Sequence, residues 1–357
     1  MITPLTPLLV RFGRMGDMVL QAPLLHLLHR RYGHPCTLLS AGSWSRALYA
    51  GSEDVAAIWQ LRGRHTPFIL SPQRWLLARA LRRHTGPIYV SEDVEKQRRR
   101  IRALLARAGV DGERCMFIDP AASDVHWVDR LLEFGMLTPP AFDAAAYAWH
   151  EADLQRAPHL PIDAADHRDL DAWLRSREID AAPLVLIQPG NNRTNRRRGS
   201  RQSDSKAWPL ERWIAVIHAI RAQHPAMRFI LCGGASETAM LGEIRQRCAI
   251  DRVDVATRDL PLRRLLALAE RSHGMIAVDT GPAHLAAAAG CPLIVLYGAE
   301  SPARWDRRSA HGSEVINLGG PPQRTRVDEI SADEVISAWQ RLCAKSYGKE
   351  LTAASAA

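Results

Sequence analysis

The sequence predicts an α/β protein of two similar domains in tandem, each a parallel sheet covered by helices on both faces. Strand-like apolar runs alternate with helix-length segments, and the connections between them are short. The clearest runs, such as "LVLIQ" at 184–188, are apolar throughout, as strands buried on both faces are. A length of 357 residues is enough for two domains of ordinary size.

The elements follow in order. "PLLVRF" (7–12) is a strand, and a helix runs through "GDMVLQAPLLHLLHRRYG" until Gly33 stops it. "CTLLS" (36–40) is the next strand, with further strands expected at 67–70, 87–90 and 115–118 and helices at 72–84 and 93–108. Residues 120–165, rich in Ala, Pro and aromatics, are expected to form loops and short helices. "DHRDLDAWLRSREIDAAP" (166–183) reads as a bridging segment closed by Pro183. Strands then recur at 184–190, 228–234, 251–256, 274–280 and 293–298. Helices lie between them at 209–223, to about 247, at 261–271 and from 281. A last helix at 331–344 follows the Gly/Pro break at 319–322. The expected domains are therefore 1–170 and 183–330, with 331–357 a C-terminal helix and tail. In such sheets ligands bind beyond the carboxyl ends of the strands, and the cleft between two facing domains is the expected site.

Composition narrows the class. A hydrophobic fraction of 46% and a charged fraction of 24% describe a globular chain. Six cysteines without a CxxC pair exclude a zinc-ribbon pattern and suggest a reduced compartment. The N-terminus has no basic region ahead of its short apolar run, and the longest apolar stretch, 283–298, is broken by Gly290 and Pro292. The expectation is a cytoplasmic or peripheral protein. The net charge of +9, mostly arginine, suits an anionic partner without choosing among nucleic acid, a phospholipid surface or a phosphorylated substrate.

Four strand-to-helix junctions carry candidate chemistry. In "RFGRMGDMVLQAP", Gly13 and Gly16 permit a tight turn around Arg14, and Asp17 opens a helix, where an acid also simply complements the helix dipole. The glycines do not match the dinucleotide fingerprint. In "QPGNNRTNRRRGSRQSDSKAWP", Arg193, Arg196, Arg197, Arg198 and Arg201 read as a solvated loop. Lys206, fixed by the following Trp-Pro, is placed to hold a phosphate. In "LCGGASE", Gly233 and Gly234 allow close backbone approach, and Glu237 is either a routine N-terminal acid or a carboxylate for a ribose. In "VDTGPAHL", Asp279 is followed by Thr280 and Gly281 at a helix mouth, an anion site; His284 lies one turn in and is also readable as a buried core histidine. The Asp169-x-Asp171 triplet lies in a helical run that points the two acids apart, so it is not read as a metal site.

Together these junctions resemble glycosyltransferase family 9, the heptosyltransferases of lipopolysaccharide core assembly. "RFGRMGDMVLQAP", "QPG…KAWPLERW", "CGGASE" and "VDTGPAHLAAAAGCPLIVLYGAESPARW" correspond to the family's motifs, across residues 8–305. Two features depart from its pattern. The segment before the lysine is stretched by "NNRTNRRRGSRQSDS", and "GAESPARW" stands where the family more often has Gly-Pro-Thr. The resemblance implies a GT-B fold of two Rossmann-like domains and inverting transfer of heptose from ADP-heptose without an essential metal. It implies a lipopolysaccharide or related anionic glycolipid acceptor, with contact at the cytoplasmic face of the inner membrane and no specific nucleic acid. It makes Asp17 the general base, Lys206 and the 280–284 helix mouth the diphosphate holders, and Glu237 a ribose ligand. Asp279 would hold sugar hydroxyls or orient the Thr280 turn; Gly13, Arg14 and Gly16 would lie on the acceptor side. The loop 191–205 would meet an anionic acceptor or lipid, or cover the donor. Alternatives are a non-catalytic nucleotide-sugar-binding relative and a basic nucleic-acid-binding protein. The latter explains the charge but not the glycine-rich junctions.

Overall fold

The computed structural model describes residues 4–61, 71–120, 124–179, 182–191 and 205–354. The chain divides into two compact units, Met1–Pro161 and Ile162–Ala357. The strand expected at 67–70 and the five loop arginines between 193 and 201 lie outside the described residues.

The first unit runs β1 (Leu8–Arg11), α1 (Met15–Val19), α2 (Ala22–Tyr32), β2 (Cys36–Ser40), α3 (Trp44–Leu48), β3 (Val55–Gln60), α4 (Pro72–Arg83), β4 (Ile88–Val90), α5 (Glu95–Arg107), β5 (Cys115–Phe117) and α6 (Trp127–Met136). Its strands form one parallel sheet in the order β3-β2-β1-β4-β5. The single helix expected over 16–33 is two. Pro23 has no amide to give the carbonyl of Val19, so the ladder breaks between α1 and α2. Gly33, at φ +74°, ends α2 as expected, and its amide bonds the His29 carbonyl. Within 120–165, expected as loops and short helices, α6 is a ten-residue helix burying Trp127, Leu131 and Phe134.

The second unit runs α7 (Ala164–Ser176), β6 (Leu184–Gln188), α8 (Leu210–Gln223), β7 (Arg228–Cys232), α9 (Thr238–Cys248), β8 (Val253–Ala256), α10 (Leu262–Arg271), β9 (Gly274–Val278), α11 (Gly281–Ala288), β10 (Leu293–Tyr297), α12 (Pro302–Trp305), β11 (Val315–Gly319) and α13 (Ala332–Ala354). Its six strands are all parallel, in the order β8-β7-β6-β9-β10-β11. Counted from the start of each unit, the two sheets share the Rossmann order 3-2-1-4-5, and the second adds a sixth strand at its edge.

The unit boundary falls ahead of the bridging segment read from the sequence. Helix α7 is held to α10 by three ion pairs: Asp166–Arg263, Asp169–Arg264 at 2.8 Å and Asp171–Arg271 at 2.7 Å. The Asp169-x-Asp171 acids thus serve two different arginines of one neighbouring helix. Residues from 332 onward likewise belong to the second unit. Trp339 and Leu342 of α13 lie in its core with Trp213 and Phe229, and a Cβ at Gly274 would come within 2.9 Å of the Trp339 ring. Among the described residues, no helix is long and apolar enough to cross a membrane.

Candidate functional site

In a sheet of this order the chain reverses direction of travel between the first and fourth strands, and the gap there is where ligands bind. Asp17 and Asp279 follow β1 and β9, strands that border this point, whereas Gly233 and Glu237 follow β7, one strand away.

In the first unit the gap lies between β1 and β4. Strand β1 ends on Arg11, whose side chain is almost wholly buried, 5.4 Å above the Trp127 ring. Its Nη1 donates to the Ser91 carbonyl at 2.6 Å and to Asp93 at 2.9 Å. Its guanidinium stands 3.4 Å from Asp17 and 3.8 Å from Glu92. One arginine therefore gathers three carboxylates beyond two adjacent strands. Asp17 also accepts the Arg14 amide through Oδ2 at 2.7 Å, capping α1, while Oδ1 faces Arg11 and the side chain keeps 25% of its surface exposed. Arg14 itself is exposed. Gly13 is needed for packing: a Cβ there would stand 2.5 Å from that of Asp17. Gly16 is buried within α1. Glu92 is buried and accepts the Phe12 amide at 3.1 Å; burial pushes its carboxyl up, and Arg11 only partly offsets this.

In the second unit the gap lies between β6 and β9. Strand β9 leads into Asp279, and Thr280 stands at the N-terminal boundary of α11, which begins Gly281-Pro282. Both Asp279 oxygens are held by cations. Oδ2 accepts from Lys206 Nζ, and Oδ1 from Arg307 Nη2 at 2.5 Å. Arg307, fully buried, also donates to the Tyr297 hydroxyl and to the Thr280 carbonyl at 3.3 Å. Burial alone would raise the Asp279 carboxyl, but Arg307 and then Lys206 outweigh it and hold it well below the usual carboxylate range. Lys206 is placed by its neighbours. The Ser205 carbonyl accepts the Val327 amide at 2.9 Å, and Trp208 Nε1 donates to the Ile330 carbonyl at 2.8 Å. A Cβ at Gly298 would collide with that Ser205 carbonyl, so β10 exits directly against the lysine's segment. His284 is buried on α11.

On the other side of the gap, Glu237 is 7% exposed. Its Oε2 accepts the Gly234 amide at 2.6 Å, while Oε1 is buried with no hydrogen-bond partner among the described residues. Burial pushes this carboxyl above its ordinary range, more than the Gly234 amide pulls it down. The glycines around it make room for the carboxylate itself. A Cβ at Gly190 would collide with Oε1, and one at Gly233 would stand 3.1 Å from Oε2. The bond to the Gly234 amide and a buried, unpaired acceptor atom thus coexist in one side chain.

Sequence reading did not find Arg307, Glu92 or Asp93, nor the part Arg11 plays. Arg307 lies 28 residues from Asp279, and Ser91 and Asp93, two of the partners of Arg11, lie about 80 residues from it.

Two Rossmann-ordered sheets, each with charged side chains gathered at its reversal point, place the chain in the GT-B fold class. A model of glycosyltransferase family 9 (heptosyltransferase) matches residues 150–334, just over half of the sequence, and the chain belongs to that family. Lipopolysaccharide heptosyltransferase 3 from Escherichia coli is 31% identical over 141 residues, 38% of this chain and 38% of that protein. The protein of the same name from strain K12 is 28% identical over 187 residues, 48% of this chain and 51% of that one. The matches thus span about half or less of these relatives' length. A glycosyl transferase family 9 structure from Veillonella parvula aligns with a TM-score of 0.74 at 17% identity, over 96% of this chain and 99% of that one. The E. coli ADP-heptose lps heptosyltransferase II aligns at 0.70 and 17%, over 96% and 100%. The E. coli heptosyltransferase WaaC with ADP aligns at 0.65 and 16%, over 95% and 100%. These likenesses show the fold.

Proposed function

We propose that the chain is an inverting glycosyltransferase that moves heptose from ADP-heptose to a hydroxyl of a lipopolysaccharide core or related glycolipid. One observation carries this reading. At the carboxyl ends of the second sheet's central strands stand a lysine ammonium paired with Asp279, the amino end of α11 and, after β7, a buried carboxylate with one unpaired oxygen. That set fits a nucleoside diphosphate: Lys206 and the α11 amides meet its charge, and Glu237 accepts from ribose hydroxyls. The names of the relatives, which mention ADP and ADP-heptose, support adenine as the base.

The residues of this chain then divide the work. Asp17, partly open to solvent, takes the proton of the acceptor hydroxyl as the acceptor oxygen bonds the anomeric carbon. The bond from that carbon to the diphosphate oxygen breaks with inversion, and the electron pair leaves on ADP. Lys206 and the first amides of α11 stabilise the growing charge. Asp279, kept ionised by Arg307, fixes Lys206 and the Thr280 turn in place. Arg11, 3.4 Å from Asp17, holds that side chain in one orientation.

Asp17→Asn tests the assignment. Transfer is expected to fall by at least about a hundredfold, the size of a general-base contribution, with nucleotide affinity nearly unchanged. Full turnover in that variant would remove Asp17 from the role.

A further inference from the structure

Helix α4 uses one face for the core, where Leu77, Ala78 and Leu81 are buried. A surface helix ordinarily puts polar groups on the opposite side. Here the outward face, at spacings of three and four, reads Pro72, Trp75, Leu76, Arg79 and Arg83, all exposed. Trp75 is 57% exposed and Leu76 67%, the two most exposed large apolar side chains among the described residues. The helix contains no acid, and neither Arg79 nor Arg83 forms an ion pair among the described residues. On neighbouring α5, Arg99 and Arg102 are also exposed, though Glu95 stands close to both.

We propose that the α4 face is a docking surface for an anionic phospholipid bilayer. The charges decide between occupants. A second copy meeting this face across a two-fold axis would set arginine against arginine. A nucleic acid would use the arginines but gain little from an exposed leucine beside the tryptophan. A bilayer interface accepts all three groups: tryptophan at the headgroup level, leucine at the acyl boundary and arginine against lipid phosphates. The helix would lie in the plane of the surface, its core-facing side unchanged. This inference concerns where the chain works and does not depend on the proposed reaction.

The 357-residue chain is tested by cosedimentation with vesicles of phosphatidylcholine, with and without phosphatidylglycerol, at two salt concentrations. Binding is expected only to the anionic vesicles, weakening by about fivefold for each of Arg79→Gln and Arg83→Gln. The pair Trp75→Ser with Leu76→Ser should abolish the binding that survives high salt. All four side chains are exposed, so circular dichroism and ADP affinity should match the parent chain and separate a docking defect from a folding defect. Failure of the parent chain to bind anionic vesicles overturns the proposal, as does equal binding by the variants. Duplex DNA binding that these substitutions weaken, with no vesicle binding, would reassign the face to nucleic acid. A chain that docks but binds no nucleotide would overturn the transferase reading and leave this one standing.

Discussion

Asp279 is buried between a lysine and an arginine, and that arrangement makes definite claims at the scale of single residues. Removing one cation from a buried ion pair typically costs about 3–5 kcal/mol, because the other charge is left uncompensated. Arg307→Met should therefore destabilise the second unit by about that much, measured by urea unfolding, and weaken ADP binding; Arg307→Lys should restore part of both. The pH dependence has a fixed sign. The folded carboxyl lies below its unfolded value of 3.8, so its stabilisation is full above that pH and is lost as pH falls below it. In Arg307→Met the acid limb should be shallower. Glu237 carries the opposite sign, its carboxyl raised from 4.5, so its charge costs stability at neutral pH. Glu237→Gln should raise the melting temperature of the nucleotide-free chain while lowering ADP affinity by about tenfold, the loss of a charged hydrogen bond. A variant that melts lower and binds as before would contradict the role given to the open oxygen. Asp17, Lys206, Glu237 and Asp279 were legible as positions because acids, glycines and a lysine mark strand-to-helix junctions. Their pairing was not, since Arg307 reaches Asp279 across 28 residues and its own segment carries only a charge run.

At the scale of elements, α7 and α10 show how acids in one helix choose arginines in another. The three pairs differ in exposure, and their energies should differ with it. The Arg263–Asp166 pair is 18% and 10% exposed, whereas Arg271–Asp171 is 40% and 46%. Arg263→Ala is expected to cost about 2 kcal/mol, the value of charged hydrogen bonds away from water. Arg271→Ala should cost under about 1 kcal/mol, as exposed pairs do. Equal costs in chemical denaturation would refute the graded ladder. This ladder also explains why 166–183 read as a linker: its period is helical, but nothing in one sequence says which helix its acids will meet. Strands β3 and β11 were missed for a related reason. Both lie at sheet edges and are only half buried, so their runs, "VAAIWQ" and "VINLG", lack the unbroken apolar character of β6 or β10. The central strands, buried on both faces, were legible from apolar content alone.

At the scale of the whole molecule, the fold repeats one strand order in two units, and each unit has its own core. That repetition was legible because alternation of strand and helix is a long-range pattern that survives errors of a few residues at each boundary. The unit limits were less legible, since they depend on side-chain pairing and on α13 packing against α8. The proposed function rests on the ends of the strands: one reversal point has a carboxylate held by arginine, the other a lysine paired with Asp279 at the mouth of α11. The central claim is that this second point binds ADP as the leaving group of a sugar donor. Calorimetric titration of the full chain and of Lys206→Ala with ADP, UDP and GDP tests it most directly. Selective binding of ADP is expected, weakened by about tenfold or more in Lys206→Ala, as loss of a charged contact to phosphate should be. Absence of heat with every nucleotide, or ADP affinity indifferent to Lys206, would contradict it.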